Sequence, residues 1–97
     1  MHVLTYKRIK EFSSRHPQSR VPLSRWYKRM NKSSPHSVND IKRLFVSADY
    51  IGNDRFVFNI SGNKYRLVAL INFCKQKVYV RFIGTHGEYS NTNIREI

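Results

Sequence analysis

Two turn signals in the second half of the chain restrict its fold more than any other feature. Phe56-Val57-Phe58-Asn59-Ile60 alternates, and Gly62-Asn63 is a two-residue turn signal. Lys64 to Phe73 reads as a second strand, Lys75-Gln76 as a second turn, and Val78 to Ile83 as a third strand. If Gly62 and Asn63 turn the first hairpin, Ile60 faces Tyr65, Phe58 faces Leu67 and Phe56 faces Ala69. If Lys75 and Gln76 turn the second, Phe73 faces Val78, Ile71 faces Val80 and Ala69 faces Phe82. Both turns deliver their apolar residues to one side of a three-stranded antiparallel meander. A slip of one residue in either hairpin would scatter them.

An apolar sheet face needs a cover, and the first half of the chain supplies one. Residues 1–4 read as a short strand. From Tyr6 to Arg15, Ile9 and Phe12 recur at helical spacing, and His16-Pro17 stops the run. A second helix starts near Ser19 and tolerates Pro22 in its first turn. Its apolar stripe is Val21, Leu23, Trp26, Tyr27 and Met30. At that spacing Trp26 reads as core rather than as a platform for a base. Ser37-Val38-Asn39-Asp40 resembles a capping box with Asp in place of Glu, and opens a short helix through Leu44. The expectation is a single α+β domain over residues 1–97, with N-terminal helices packed on one face of a small antiparallel sheet.

The opposite face is then free for function. The register lines up Asn59, Arg66 and Thr85 across it at one end. Tyr79 and Arg81 fall nearer the other end, with Arg81 opposite Leu70. That spacing separates Arg66 and Arg81 by roughly 13 Å at the usual strand rise, too far for one tight pair but suited to adjacent phosphates. After the third strand comes Gly84-Thr85-His86-Gly87-Glu88-Tyr89, whose two glycines predict that the chain leaves the sheet. His86 and Tyr89 would hang at the end that carries Asn59 and Arg66.

Charge says what such a face meets. Eighteen Lys and Arg against six Asp and Glu give +12, a self-repulsion that suggests a polyanionic partner. Residues 1–47 hold eleven of the cations and two of the acids. Arg25, Lys28, Arg29 and Lys32 of the second helix are expected to contact RNA. No apolar run is long enough to span a membrane, and the start lacks a signal-peptide core. The lone Cys74 fits a reducing cytoplasm. Zinc spacing, a phosphate loop and a carboxylate pair for two-metal hydrolysis are all missing, so neither a metal nor another cofactor is expected. A nuclease built from this chain would use the RNA 2′-hydroxyl as nucleophile, with His and Tyr for proton transfer and Arg for charge.

Three blocks then match a known family as a spaced set. They are Phe58-Asn59-Ile60, Gly62-Asn63-Lys64-Tyr65-Arg66-Leu67-Val68, and Val78-Tyr79-Val80-Arg81-Phe82-Ile83-Gly84-Thr85-His86 with Glu88-Tyr89. Together with Pro22-Leu23, Trp26-Tyr27-Lys28, Ile41-Lys42 and Ser47-Ala48-Asp49, they resemble the HigB-type toxins of the RelE-like superfamily. The resemblance implies an mRNA interferase acting on the translating ribosome, and an antitoxin of the HigA helix-turn-helix type. By position it makes Arg66, Arg81, His86 and Tyr89 candidates for the cleaving site, joined by Asn59, Asn63 and Lys64, which would bind RNA there; Tyr79, from its place on the open face, is a further expected RNA contact. Family members often carry Asp after that Tyr, where this chain has Ser90. Two other functions fit the residues. One is a toxin of the same architecture directed at a non-RNA target such as gyrase, and the other is a non-catalytic nucleic-acid-binding module.

Overall fold

The computed structural model describes residues 1–97. Its elements are β1 (His2–Val3), α1 (Tyr6–Arg15), a 3-10 turn (Pro17–Ser19), α2 (Arg20–Lys32), α3 (Val38–Leu44), β2 (Asp49–Tyr50), β3 (Arg55–Ile60), β4 (Tyr65–Asn72), β5 (Lys77–Thr85) and α4 (His86–Ser90). One sheet runs β1-β5-β4-β3-β2. The expected α+β layering is present, with α1 and α2 over one face. The sheet is mixed, because β1 pairs in parallel with β5. Two backbone bonds tie that pair: His2 N–H to Gln76 O and Leu4 N–H to Val78 O, both 2.9 Å.

Helical spacing accounts for the cover. Ile9 and Phe12 of α1 and Leu23, Trp26 and Met30 of α2 bury against Phe56, Phe58, Ile60, Leu67, Ala69, Ile71, Val78 and Val80. Val21, read as part of the α2 stripe, instead faces solvent at 57 % exposure, because it lies on the side of the helix away from Leu23 and Trp26. Tyr27 packs on Tyr6, ring centroids 4.5 Å apart. Helix α3 begins as expected: the Ser37 hydroxyl accepts the Asp40 N–H at 3.2 Å. The Asp40 carboxylate reaches one residue further back than in a standard capping box, to the His36 N–H at 3.0 Å.

The first hairpin has the expected register: Ile60 opposite Tyr65, Phe58 opposite Leu67, Phe56 opposite Ala69. Ser61 and Gly62 both take positive φ in its turn, which costs glycine nothing and a serine little in a tight loop. The second hairpin departs from expectation. Ile71 faces Val78 and Ala69 faces Val80, a shift of two residues. Its loop takes four residues, Phe73 to Gln76, because the Asn72 side chain accepts the Lys75 N–H at 3.0 Å and Gln76 turns left-handed to reach back to Phe73 O. A shift of two preserves the alternation, so the apolar face survives.

A second departure changes the alternation itself. Between Val68 and Ala69 on β4, β5 carries one extra residue, Arg81, so that Val68 faces Phe82 and Arg66 faces Gly84. Tyr79, and not Arg81, stands opposite Leu70. Tyr65, and not Arg66, has Thr85 as its partner. This β-bulge lets Ile83 join the helix-covered core and leaves Arg81 exposed. The Arg81 carbonyl, freed from the ladder, accepts from the Arg8 guanidinium at 2.8 Å.

The far face of the sheet is less open than the sequence suggested. Val68 has no exposed surface and Val57 only 4 %. Helix α4 packs against β4 and β5, and Arg55 Nε donates to Ile97 O at 2.8 Å, drawing the end of the chain back over β3.

Candidate RNA-cleaving site

Helix α4 owes its position to a cap that the sequence carries in plain view. The Thr85 hydroxyl accepts the Glu88 N–H at 3.2 Å, and Glu88 Oε1 accepts the Thr85 N–H at 2.9 Å. The chain therefore leaves the sheet after Thr85, as the glycines predicted, and does so as one turn of helix. Gly84 permits the exit. A Cβ there would stand 2.5 Å from Phe82 Cζ and 3.2 Å from Glu88 Cβ. His86 and Tyr89, three residues apart, share a side of that turn.

Side-chain contacts bring together Asn63, Arg66 and Tyr89, and the backbone sets Lys64 and His86 next to each other beside them. The Arg66 guanidinium lies 5.9 Å from the centre of the Tyr89 ring. Its Nη1 donates to Asn63 O and Tyr65 O, each at 3.2 Å, and Nη2 reaches Asn63 Oδ1 at 3.5 Å. Arg66 is thus half-exposed on the face away from α1 and α2, held in one place by the turn beside it. Backbone joins the other pair: His86 N–H donates to Lys64 O at 3.2 Å. Ser90 Oγ lies 3.5 Å from His86 Nδ1 and donates to His86 O at 3.0 Å. Asn59 stands directly across from Arg66 on β3.

The remaining candidates lie elsewhere. Arg81 sits three residues up β5 from Gly84, about 10 Å along the strand. Tyr79 is half-buried further still, opposite Leu70. Arg25, Lys28, Arg29 and Lys32 are all exposed along α2. Arg29 is anchored there, donating to Leu44 O at 3.0 Å with its guanidinium 5.8 Å from the Phe45 ring centre.

Three residues that sequence reasoning did not single out join the cluster from the end of α1. Gln18 accepts a hydrogen bond from Lys64 Nζ. His16 stacks on Phe12 at 4.3 Å and meets the Tyr65 ring edge at 5.7 Å. Arg15 and His16 both act on Glu88 through space. Nothing in the linear sequence pairs residues 15–18 with residues 64–88, so only folding reveals this wall.

Glu88 titrates below its ordinary value of 4.5. The main cause is the Thr85 N–H bond to its carboxylate, next the Thr85 hydroxyl, with His16 and Arg15 adding to them and slight burial opposing. A depressed carboxylate stabilises the fold above its unfolded value, and that contribution is lost as pH falls through the depressed value. At neutral pH the cap is complete, and acidification from 4.5 downward releases it. Amide protection factors at residues 85–89, with the intrinsic exchange rate divided out, should therefore fall in acid, and by about fivefold at neutral pH in Glu88→Ala, as expected for a lost cap.

Electrostatics favour an anion throughout. Lys7–Glu11 and Arg43–Asp40 are the only ion pairs within 4 Å, so the other sixteen Lys and Arg face solvent or neutral partners. No helix is long and apolar enough to cross a membrane.

Known proteins resemble the chain over most of its length. Residues 19–92 match the HigB toxin family, described as the RelE-like toxic component of a toxin–antitoxin system. The chain is 34 % identical over 92 residues to the mRNA interferase toxin HigB of Escherichia coli (strain K12), covering 92 % of this chain and 88 % of the relative. The mRNA interferase HigB of Shigella flexneri matches to the same extent. That of Escherichia coli O6:H1 (strain CFT073) is 24 % identical over 91 residues, with the same coverage of both chains.

Proposed function

The chain belongs to the HigB family of RelE-like toxins, and from that premise we propose that it cuts messenger RNA by attack of a ribose 2′-hydroxyl on the neighbouring phosphorus. It is the toxin of a toxin–antitoxin pair and an mRNA endoribonuclease. In the cleavage step a base takes the 2′-hydroxyl proton as the O2′–P bond forms. The P–O5′ bond breaks, and an acid protonates the leaving 5′-oxygen. The products are a cyclic 2′,3′-phosphate and a free 5′-hydroxyl. His86 and Tyr89 carry the two proton transfers. Arg66 stabilises the charge that builds on the phosphoryl oxygens, and Lys64, Asn63 and Asn59 hold the flanking linkages. Arg81 and Tyr79 meet the RNA further along.

The observation that carries this reading is the contact of Arg66 with Tyr89 outside the helix-covered core, one helical turn from His86. The exposed basic face of α2 supports ribosome dependence: Lys28 and Lys32 engage ribosomal RNA, with Arg25 and Arg29 on the same helix turned toward bound RNA, and the substrate is a message under translation in the cytoplasm. An acidic segment of a HigA-type antitoxin is the complement that restrains it.

Mapping RNA ends in cells tests the whole proposal. Wild-type toxin should produce new ends inside translated frames, and His86→Ala should lower them about 10²-fold or more, the range of a lost acid–base group. A transcript stripped of its start codon should be spared. Undiminished cutting by His86→Ala would remove the histidine from the mechanism, and equal cutting of the untranslated transcript would remove the ribosome.

A further inference from the structure

Between α2 and the β3–β4 turn lies a cavity of about 550 Å³, walled by Arg25, Trp26, Arg29, Phe45, Asn59 and Ser61 among others. That size falls within the ~300–1,000 Å³ that accommodates small ligands. Three features of its wall are unusual together. Two arginines one helical turn apart, Arg25 and Arg29, stand beside it with no carboxylate partner. Trp26, 4 % exposed, holds a buried indole N–H that has no acceptor in the protein, an arrangement that folded proteins ordinarily avoid. Val46, which also lines the cavity, is 92 % exposed, a bare apolar surface where a flat ring can rest.

The cavity also borders the candidate site at the edge of β3, where Asn59 lines it and stands across the ladder from Arg66. Ser61 and Gly62 line it from the turn that also carries Asn63 and Lys64. An RNA strand held at Arg66 would reach this cavity by passing over the β3 edge at Asn59 and the turn at Ser61 and Gly62.

We infer that the cavity is a subsite for one nucleotide flanking the scissile linkage, with its phosphate between Arg25 and Arg29 and its base against Val46, Asn59 and Trp26. Asn59 offers a base edge both a donor and an acceptor. The indole N–H gains the acceptor it lacks when the arginine side chains shift to admit the base. An acidic peptide would satisfy the guanidinium groups equally well but would leave Asn59 and the apolar lip without a complement. The inference rests on the RNA-cleaving reading of the neighbouring site.

The chain has a single tryptophan, so its one indole N–H resonance reports directly on this cavity. Titrating the full-length protein with each nucleoside 5′-monophosphate should move that resonance saturably, and inorganic phosphate should do so at least tenfold more weakly. Asn59→Ala and Arg25→Gln should each weaken binding about tenfold while the remaining amide spectrum shows an intact fold. Arg25 is preferred to Arg29 for the test because the Arg29 bond to Leu44 O braces the α3 end. An indole resonance unmoved by all four nucleotides, moved as strongly by phosphate alone, or moved only by an acidic peptide would overturn the subsite. Arg66→Ala separates the two readings. If that variant loses cleavage but keeps the indole response, both stand. If it still cuts RNA, the catalytic assignment fails while the subsite survives. If it loses cleavage and wild type shows no indole response, only the subsite fails.

Discussion

Arg66→Ala is expected to abolish toxicity and to lower RNA cleavage about 10²–10³-fold, the loss that follows when one preorganised donor to a developing oxyanion is removed, while the protein stays folded. The guanidinium contributes nothing to the core: it is half-exposed, and its partners are two carbonyls and an amide of its own turn, with the Tyr89 ring alongside. Removing it leaves those carbonyls open to water, a small cost at the surface. Arg66→Lys restores the charge but not the planar fork that can bridge two phosphoryl oxygens, so it should recover only part of the rate. The measurement is single-turnover cleavage of a translated message, with thermal unfolding run in parallel. A variant that unfolds with the wild type yet cuts as fast would show that the phosphate is stabilised by another residue.

Phe58→Ala removes toxicity by an unrelated route. Phe58 is 1 % exposed, and its ring meets Trp26 at 5.4 Å, Phe45 at 5.1 Å and Phe56 at 6.4 Å. Truncating a buried phenylalanine in a close-packed interior costs about 3–5 kcal/mol, against a total of about 5–15 kcal/mol for a domain. Urea unfolding should show the midpoint falling by about a fifth or more with an unchanged slope. Phe58→Leu, which keeps most of the volume, should lose less than half as much. A midpoint equal to wild type for the alanine variant would mean that the aromatic cluster collapses to fill the gap. In cells, the loss of toxicity then accompanies a loss of soluble protein, which distinguishes it from Arg66→Ala.

The parts of this fold that were legible are those decided by neighbours in sequence. The first hairpin was readable because Gly62 sits where the turn needs positive φ and the alternation on both sides agrees. Ser37 at the head of α3 was readable for the same local reason. The second hairpin slid by two because Asn72 and Gln76 use side-chain and left-handed geometry to build a longer loop, and a shift of that size leaves the apolar alternation intact and so leaves no trace in it. The extra residue at Arg81, whose carbonyl meets Arg8 from 73 positions away, could not be read locally. Helix α4 is a different case, since Thr85 and Glu88 carry the capping signal but the surrounding glycines suggested a loop. At the site, the meeting of Arg66 and Tyr89 followed from the strand order, whereas the wall formed by His16 and Gln18 came from the turn after α1 and had no sequence signature.

The unpaired residue on β5 makes the count of paired positions there a constraint separate from side-chain chemistry. Upstream of it Val78 and Val80 point to the core; beyond it Ile83 does. Excising position 81 would close the ladder, with Val80 and Phe82 still opposite Ala69 and Val68, and keep Ile83 inside. Drawing Arg81 into the ladder opposite Val68 would instead turn everything from Phe82 onward through half a turn and send Ile83 into water. What the strand tolerates at this point is thus a shorter chain more readily than a straighter one.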